Sequence, residues 1–174
     1  MEIPLPEPPL AGGGLRLRPW RPVDATALAD AWADPEIRRF TAVPATPTVA
    51  YAQRWIAGWE ARRRRGLALD LVVGPADGLA VWGEVGLFGF TQGAGGAEAE
   101  IGWWTAPGRR SLGIAGRAVA LVAAWACGPL GLATLVAELD AANPASRRVA
   151  EKAGFAPAAP APARERWVRC AQPG

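Results

Sequence analysis

The densest chemistry in this chain lies in Thr105-Ala106-Pro107-Gly108-Arg109-Arg110-Ser111-Leu112-Gly113-Ile114-Ala115-Gly116-Arg117. A β-like run, Glu98 to Trp104, enters this stretch, and an apolar helical pattern, Ala118 to Ala126, leaves it. A strand that feeds a glycine-bearing loop and then opens a helix is a device for holding phosphate. The loop leaves backbone N–H groups unpaired, small residues let an anion approach them, and the helix dipole adds partial positive charge. Arg109 and Arg110 add fixed charge suited to a diphosphate. There is no Gly-Lys-Ser/Thr ending, so the loop is not a Walker-type nucleotide site. No G-x-G-x-x-G follows directly on a strand, so it is not a dinucleotide fingerprint.

Three segments together resemble one family. Arg110-x-x-Gly113-x-Ala115 is similar to the R/Q-x-x-G-x-G/A loop of the GNAT acyltransferases. Upstream, Ala99-Glu100-Ile101-Gly102-Trp103-Trp104, with Pro107 following, resembles a strand of that superfamily's RimJ/RimL-like branch. Downstream, Asn143-Pro144-Ala145-Ser146-Arg147-Arg148-Val149-Ala150-Glu151-Lys152-Ala153-Gly154-Phe155 resembles that branch's N-x-x-S-x-R-V-x-E-K-x-G-F segment. The likeness is close over residues 98–155 and loose over Leu15 to Phe40.

The resemblance implies transfer of an acetyl group from acetyl-CoA, a co-substrate, to a primary amine by direct attack in a ternary complex, with no metal. It implies that Arg109, Arg110, Ser111, Leu112, Gly113, Ile114, Ala115, Gly116 and Arg117 hold the coenzyme diphosphate. Main-chain groups of Trp103 and Thr105 would bond the pantetheine arm, and Asn143 and Ser146 would approach it from the other side. Glu100 matches a glutamate that several members use, directly or through water, to deprotonate the acceptor. Its mid-strand place between apolar neighbours would raise a carboxylate's pKa toward a useful range. The alternative for Glu100 is a structural carboxylate paired with a nearby Arg. Glu98, two residues earlier on the same strand face, is the less attractive base. Ser146 would protonate the leaving thiolate; the alternative is a merely hydrogen-bonded serine. Many members use a tyrosine for that step, but Tyr51 is the only tyrosine and lies far from this segment. Asn143 before Pro144 is equally good as a helix N-cap.

The elements that must position these residues follow from pattern. Leu15 to Arg18 alternates as a short strand, and Asp24 is placed to cap a helix to Ala33. Asp34-Pro35-Glu36 restarts a helical piece, and Thr48 caps the next helix, with Trp55, Ile56 and Trp59 at helical spacing. Leu67 to Val73 and Leu79 to Phe90 read as strands around the turn signal Gly74 to Gly78, and Gly93 to Gly96 is a second turn. Gly128-Pro129 ends the helix after the loop, Leu132 to Leu139 is a strand, and Asn143 to Ala153 a helix. Ala156 to Pro162 reads as a loop and Arg164 to Cys170 as a final strand. The resemblance implies an α/β (α+β) fold: a mixed, twisted central sheet with helices on both faces, splayed into a V between the Glu98 and Leu132 strands. Residues 1–12 are expected to be a disordered tail, and 13–174 one domain, its length sufficient for a sizeable core.

Composition narrows the remaining classes. No histidine occurs, which excludes Ser-His-Asp and Cys-His catalysis and any His-bearing zinc site. Cys127 and Cys170 have no metal-ligand spacing and are too few for a disulfide framework, so a reducing cytoplasm is expected. No run approaches the ~20 apolar residues of a membrane span, and Met1-Glu2-Ile3-Pro4 lacks the order of a secretory signal. The net charge of +3 rests almost wholly on Arg, with Lys152 the only lysine, which reads as coding bias rather than a nucleic-acid surface. Arg62 to Arg65 close a helix pattern before Gly66, where basic residues favour the negative end of the dipole; the alternative is a docking patch for an acidic partner. The nine tryptophans read mostly as packing; the resemblance implies that the segment around Trp55 and Trp59 forms the rim of the acceptor cleft, which would suit an apolar or aromatic acceptor. The acceptor stays open between a small molecule or peptide and a protein N-terminus of the RimJ/RimL kind. A non-catalytic acyl-CoA-binding module is a further alternative. Family habit implies a homodimer.

Overall fold

A computed structural model of the chain describes residues 2–160 and 163–170. Its strands are β1 (Ala11–Gly12), β2 (Leu15–Arg18), β3 (Ala68–Pro75), β4 (Gly83–Gly93), β5 (Gly96–Thr105), β6 (Thr134–Asp140), β7 (Ala156–Pro160) and β8 (Arg164–Cys170). They form one mixed sheet in the order β1-β2-β3-β4-β5-β6-β8-β7. The helices are α1 (Ala25–Ala33), α2 (Pro35–Phe40), α3 (Val49–Ala57), α4 (Trp59–Arg64), α5 (Ile114–Cys127) and α6 (Pro144–Lys152).

Alternation divides the sheet into two faces. Leu69, Leu71, Val85, Leu87, Ala99, Ile101, Leu135 and Ala137 are buried on one face. Helix α5 packs there, its apolar stripe carrying the buried Ala118, Val119, Val122 and Ala126. The opposite face carries Asp70, Glu84, Glu98, Glu100, Trp104 and Glu138, and the α1–α4 layer covers its β3–β4 half. Trp59 Nε1 of α4 donates to the Asp70 carbonyl at 2.6 Å, and the Arg62 guanidinium lies 3.6 Å from the Asp70 carboxylate. Helix caps set the entry angles: Asp34 accepts from the N–H groups of Glu36 and Ile37, and Thr48 from that of Tyr51.

The feature that matters most is a break in pairing. Strands β5 and β6 are parallel and in register only at Glu98↔Thr134, Ala99↔Leu135 and Glu100↔Val136. Beyond that point β5 runs on to Thr105 and β6 to Asp140 without pairing to each other, so the sheet opens as a wedge. On the other side β5 stays bound to β4 as far as Gly83↔Thr105.

Three local expectations need correction. Ala156–Pro160 is a strand, not a loop, paired antiparallel to β8 with a register shift between Pro157 and Ala159. It is the edge strand, where proline's missing N–H can face away from the ladder. Strand β4 begins at Gly83 rather than Leu79, because the Leu79 carbonyl accepts from Arg18 Nη2 (2.7 Å) and the strand ladder resumes only after Trp82. Asp24 does not cap α1 with its side chain; its carboxylate binds Arg18 and the Arg21 N–H. The arginine run does close a helix, with Arg62, Arg63 and Arg64 in the last turn of α4, and two of its members also have specific partners. Arg63 is buried, pairing with Glu60 and Glu2 at 2.9 Å each, and Arg62 stacks over Trp55. The Arg63 contacts hold the start of the chain, where Ile3 is buried and its N–H bonds the Arg63 carbonyl at 3.2 Å. The expected tail is therefore laid against the domain at this point.

Gly83 is required by close approach: a β-carbon there would run into the Trp104 carbonyl oxygen across the β4–β5 pair. Gly83→Ala is expected to cost about 1–3 kcal/mol through forced backbone movement. Gly93→Ala, at a position with open space around it, should stay within about 0.5 kcal/mol. Chemical denaturation of the two variants checks the contrast.

Candidate active site

The wedge has donors on its β5 wall. The Ala106 N–H donates to the Trp82 carbonyl at 2.9 Å, which fixes the phase of the antiparallel β4–β5 pair. With the register Gly83↔Thr105 and Glu84↔Trp104, alternation turns the main-chain groups of Gly102 and Trp104 toward β4. Those of Trp103 and Thr105 face the other way, into the wedge. At the positions expected to meet a pantetheine arm, the main chain is thus left unpaired by β6, although the Thr105 carbonyl accepts from Arg110 Nε at 3.3 Å.

The loop that follows is open in the same sense. After the short turn Pro107–Arg109, Ser111 sits at φ +61° and Gly113, the N-cap of α5, at φ +70°. Two left-handed residues so close curl the chain, and only the second is a glycine, which adopts that conformation without strain. The N–H groups of Ser111, Leu112, Gly113, Ile114, Ala115 and Gly116 make no hydrogen bond among the described residues; the ladder of α5 starts with Arg117 N–H to the Gly113 carbonyl at 3.2 Å. A helix N-terminus with a curled approach of free donors is an anion seat. Arg109 and Arg117 are exposed beside it, and the Arg109 guanidinium lies 4.8 Å from the Trp82 ring centroid. Arg110 points elsewhere. Its Nη2 meets Asp34 Oδ1, its Nη1 lies 2.8 Å from Glu36 Oε2, and its Nε donates to the Thr105 carbonyl at 3.3 Å.

Strand β6 is the other side of the wedge, and α6 follows directly on its end. Asn143 is the N-cap of α6, with Oδ1 accepting from the Ser146 N–H at 3.0 Å. Both residues are half-buried, and the Ser146 hydroxyl has no partner among the described residues. The capping role of Asn143 leaves its amide nitrogen available, so one residue serves helix and wedge together.

Glu100 stands at the apex, the last β5 residue in register with β6. It makes no hydrogen bond among the described residues. Burial pushes its pKa above the usual carboxylate value and the nearby Glu138 adds to this, while Arg164 and Arg166 pull it down. Glu98 is occupied: Arg166 bridges it (2.9 Å) and Glu138 (3.3 Å). The pairing considered for Glu100 thus falls to Glu98, which leaves Glu100 as the unbonded carboxylate of the strand.

The sequence reading missed a second acidic centre. Glu84 accepts from Trp20 Nε1 at 2.9 Å and from Trp104 Nε1 at 3.1 Å. It is enclosed by protein while keeping a solvent-reachable edge. Burial above all, with the neighbouring Asp70 carboxylate, pushes its pKa up to about 8, against the pull of the two indoles and Arg62. A lone Glu between Gly83 and Val85 gives no local sign of this, because its partners come from distant elements. The tryptophans form a connected set: Trp55 meets Trp20 and Trp32 edge-on at 6.0 and 5.6 Å, and Trp20 meets Trp104 at 6.4 Å. Of the two residues expected at an acceptor rim, Trp59 is buried, whereas Trp55 is only half-buried. It lines an opening of about 250 Å³ with Tyr51 and Arg54.

The family model for the acetyltransferase (GNAT) domain matches residues 14–156. This chain belongs to the GNAT acetyltransferases. Its fold is shared with solved members. The RimJ of Mycobacterium smegmatis, determined in complex with CoA-disulfide, is 24% identical with a TM-score of 0.79, over 90% of this chain and 82% of that one. A structure from Vibrio cholerae described as a putative ribosomal-protein-serine acetyltransferase is 16% identical with a TM-score of 0.79, over 95% and 99%. The spermidine N-acetyltransferase of Vibrio cholerae, in complex with CoA and spermine, is 15% identical with a TM-score of 0.78, over 92% and 97%. A search of curated protein sequences returns no match. In this acetyltransferase the unpaired edge of β5 and the unbonded carboxylate of Glu100 meet where the β5–β6 register ends.

Glu84 gives the acetyltransferase a measurable pH signature. Its folded pKa lies above the unfolded value of 4.5, so the stabilisation from holding it neutral is complete below that value. It is lost as pH rises toward about 8, at up to about 1.4 kcal/mol per pH unit. Asp70 beside it is raised in the same direction. Urea unfolding at a series of pH values should show the wild type losing stability across this window while Glu84→Gln follows a flatter profile. Parallel profiles would contradict the assignment.

Proposed function

We propose that this protein is an acetyl-CoA-dependent N-acetyltransferase whose co-substrate enters the β5–β6 wedge. The observation that carries the reading is the pair of free backbone surfaces meeting at one place. One is the run of unpaired N–H groups from Ser111 to Gly116, and the other is the wedge-facing main chain of Trp103 and Thr105. The first fits a diphosphate, with side-chain charge from Arg109 and Arg117; the second fits the amides of an extended pantetheine arm, which would continue the sheet where β6 departs. Asn143 and Ser146 face that arm from α6.

In the proposed reaction the acceptor ammonium gives a proton to Glu100, directly or through water, and the neutral nitrogen attacks the thioester carbonyl carbon. A wedge-facing N–H of β5 stabilises the oxyanion that forms. Collapse of the tetrahedral intermediate breaks the C–S bond; the leaving thiolate takes a proton from Ser146 or water, and the second proton shed by the attacking nitrogen, relayed through water, restores that donor. The carboxylates Glu98, Glu100 and Glu138 on the sheet face give a cationic acceptor a favourable approach, tempered by Arg164 and Arg166. That supports an amine of a small molecule or peptide as acceptor. The alternative is a protein N-terminus, supported by the likeness to RimJ and to the ribosomal-protein acetyltransferase fold. The unbonded Glu100 argues against a module that binds acyl-CoA without turnover. A single domain over 13–174, a cytoplasmic setting and a homodimer complete the proposal.

Two outcomes test it. Gly113→Val places a branched side chain at φ +70° in the anion seat and should abolish acetyl-CoA binding measured by calorimetry, while the fold is retained by circular dichroism. Glu100→Gln should lower kcat by ~10²–10⁴-fold, the usual contribution of a positioned base, with acetyl-CoA affinity nearly unchanged. The wild-type rate should rise with pH through the raised pKa of Glu100. Unchanged turnover of Glu100→Gln at every pH would mean that the amine arrives neutral and the site works by proximity and oxyanion stabilisation alone.

A further inference from the structure

We infer that Arg110 is a positioning residue that fastens the diphosphate loop to helix α2, and that it is not itself a phosphate ligand. The inference rests on the acetyl-CoA reading of the loop. All three nitrogens of its guanidinium are engaged: Nη2 with Asp34, Nη1 with Glu36, and Nε with the Thr105 carbonyl. One positive charge faces two carboxylates, so the group is already compensated before any anion arrives. Leaving this seat would strand Asp34, whose side chain is only 12% exposed, and an ion separated from its partner in partly buried surroundings is costly. By contrast, Arg109 and Arg117 are exposed and form no ion pair among the described residues.

The attachment reaches both ends of the machinery. Thr105 closes the coenzyme-facing strand, and the Arg110 side chain spans the Pro107–Arg109 turn to grip its carbonyl. Asp34 Oδ1, which receives Arg110, also caps α2 through the N–H groups of Glu36 (3.1 Å) and Ile37 (3.0 Å). The carboxylate at the start of α2 therefore holds the strand end and the loop in one arrangement. Ser111, the next residue, is at φ +61°, a conformation that a non-glycine residue keeps only when its surroundings enforce it. Arg110 is the side chain placed to enforce it, and the run of free N–H groups follows directly.

The two roles predict opposite signs for one substitution. Asp34→Asn keeps the capping oxygen of α2 and removes only the charge that holds Arg110. If Arg110 positions the loop, Asp34→Asn and Arg110→Gln should each weaken acetyl-CoA binding by about tenfold, and the double variant should be no worse than the weaker single variant. Arg110→Gln should also leave the salt dependence of binding unchanged, whereas Arg109→Ala or Arg117→Ala should reduce it. Glu36→Gln, outside the cap, provides the same test with no risk to the helix. Calorimetry with acetyl-CoA at two ionic strengths reads all of these. Tighter or unchanged binding in both Asp34→Asn and Glu36→Gln would mean that the carboxylates merely compete with phosphate for Arg110, and would overturn the inference alone. Failure of the wild-type protein to bind acetyl-CoA would overturn this inference together with the reading on which it rests.

Discussion

The structure turns on one missing set of hydrogen bonds. A parallel strand pair normally satisfies the main chain of both members along their shared length, yet β5 and β6 stop pairing after Glu100 and Val136 while both strands continue. Unpaired backbone inside a fold is costly unless something else bonds it. Here that vacancy is aligned with the mouth of a loop whose own donors are free. Strand β5 keeps its shape because its other edge remains zipped to β4 and because side chains brace it from the covered face. The Trp104 indole is tied to Glu84, and Glu84 to Trp20. The braced half of the sheet thus lies at β2–β4, and the open edge lies beyond β5.

Electrostatics follow the same division. The charges on the receptive side are graded by partner. Glu98 and Glu138 share Arg166, Arg110 is held by Asp34 and Glu36, and Glu100 is left with no hydrogen bond at the apex. Burial with a like-charged neighbour raises a carboxylate's pKa and makes it a better proton acceptor. Glu84 has a higher pKa still, but its oxygens are committed to two indoles, so its consequence falls on stability rather than on proton transfer. The distinction between these two glutamates rests on what each oxygen bonds.

Much of this was legible in the sequence, and the reasons are local. Asp34, Thr48 and Asn143 announce helix starts through residue type, and all three accept hydrogen bonds from the first turn of their helices. The loop after Thr105 was readable because its glycines and arginines serve backbone geometry and charge, which are short-range properties. What was not legible depends on distant partners. Strand β7 is hidden by its prolines, and only its place at the sheet edge permits it. The direction of Arg110 could not be read from its motif, since Asp34 and Glu36 arrive from over seventy positions earlier in the chain. Glu84 and Arg63 are exceptional only through what the fold places around them.

The most direct test of the account asks whether the free backbone of the wedge is what the coenzyme binds. In a protein labelled with ¹⁵N, acetyl-CoA should be titrated while the amide resonances are followed. Large saturable shifts are expected for Trp103 and Thr105 and for the run from Ser111 to Gly116, together with Asn143 and Ser146. The amides of the β3–β4 half should stay nearly still. Shifts centred away from the β5–β6 wedge, or none at saturating acetyl-CoA, would contradict the central claim.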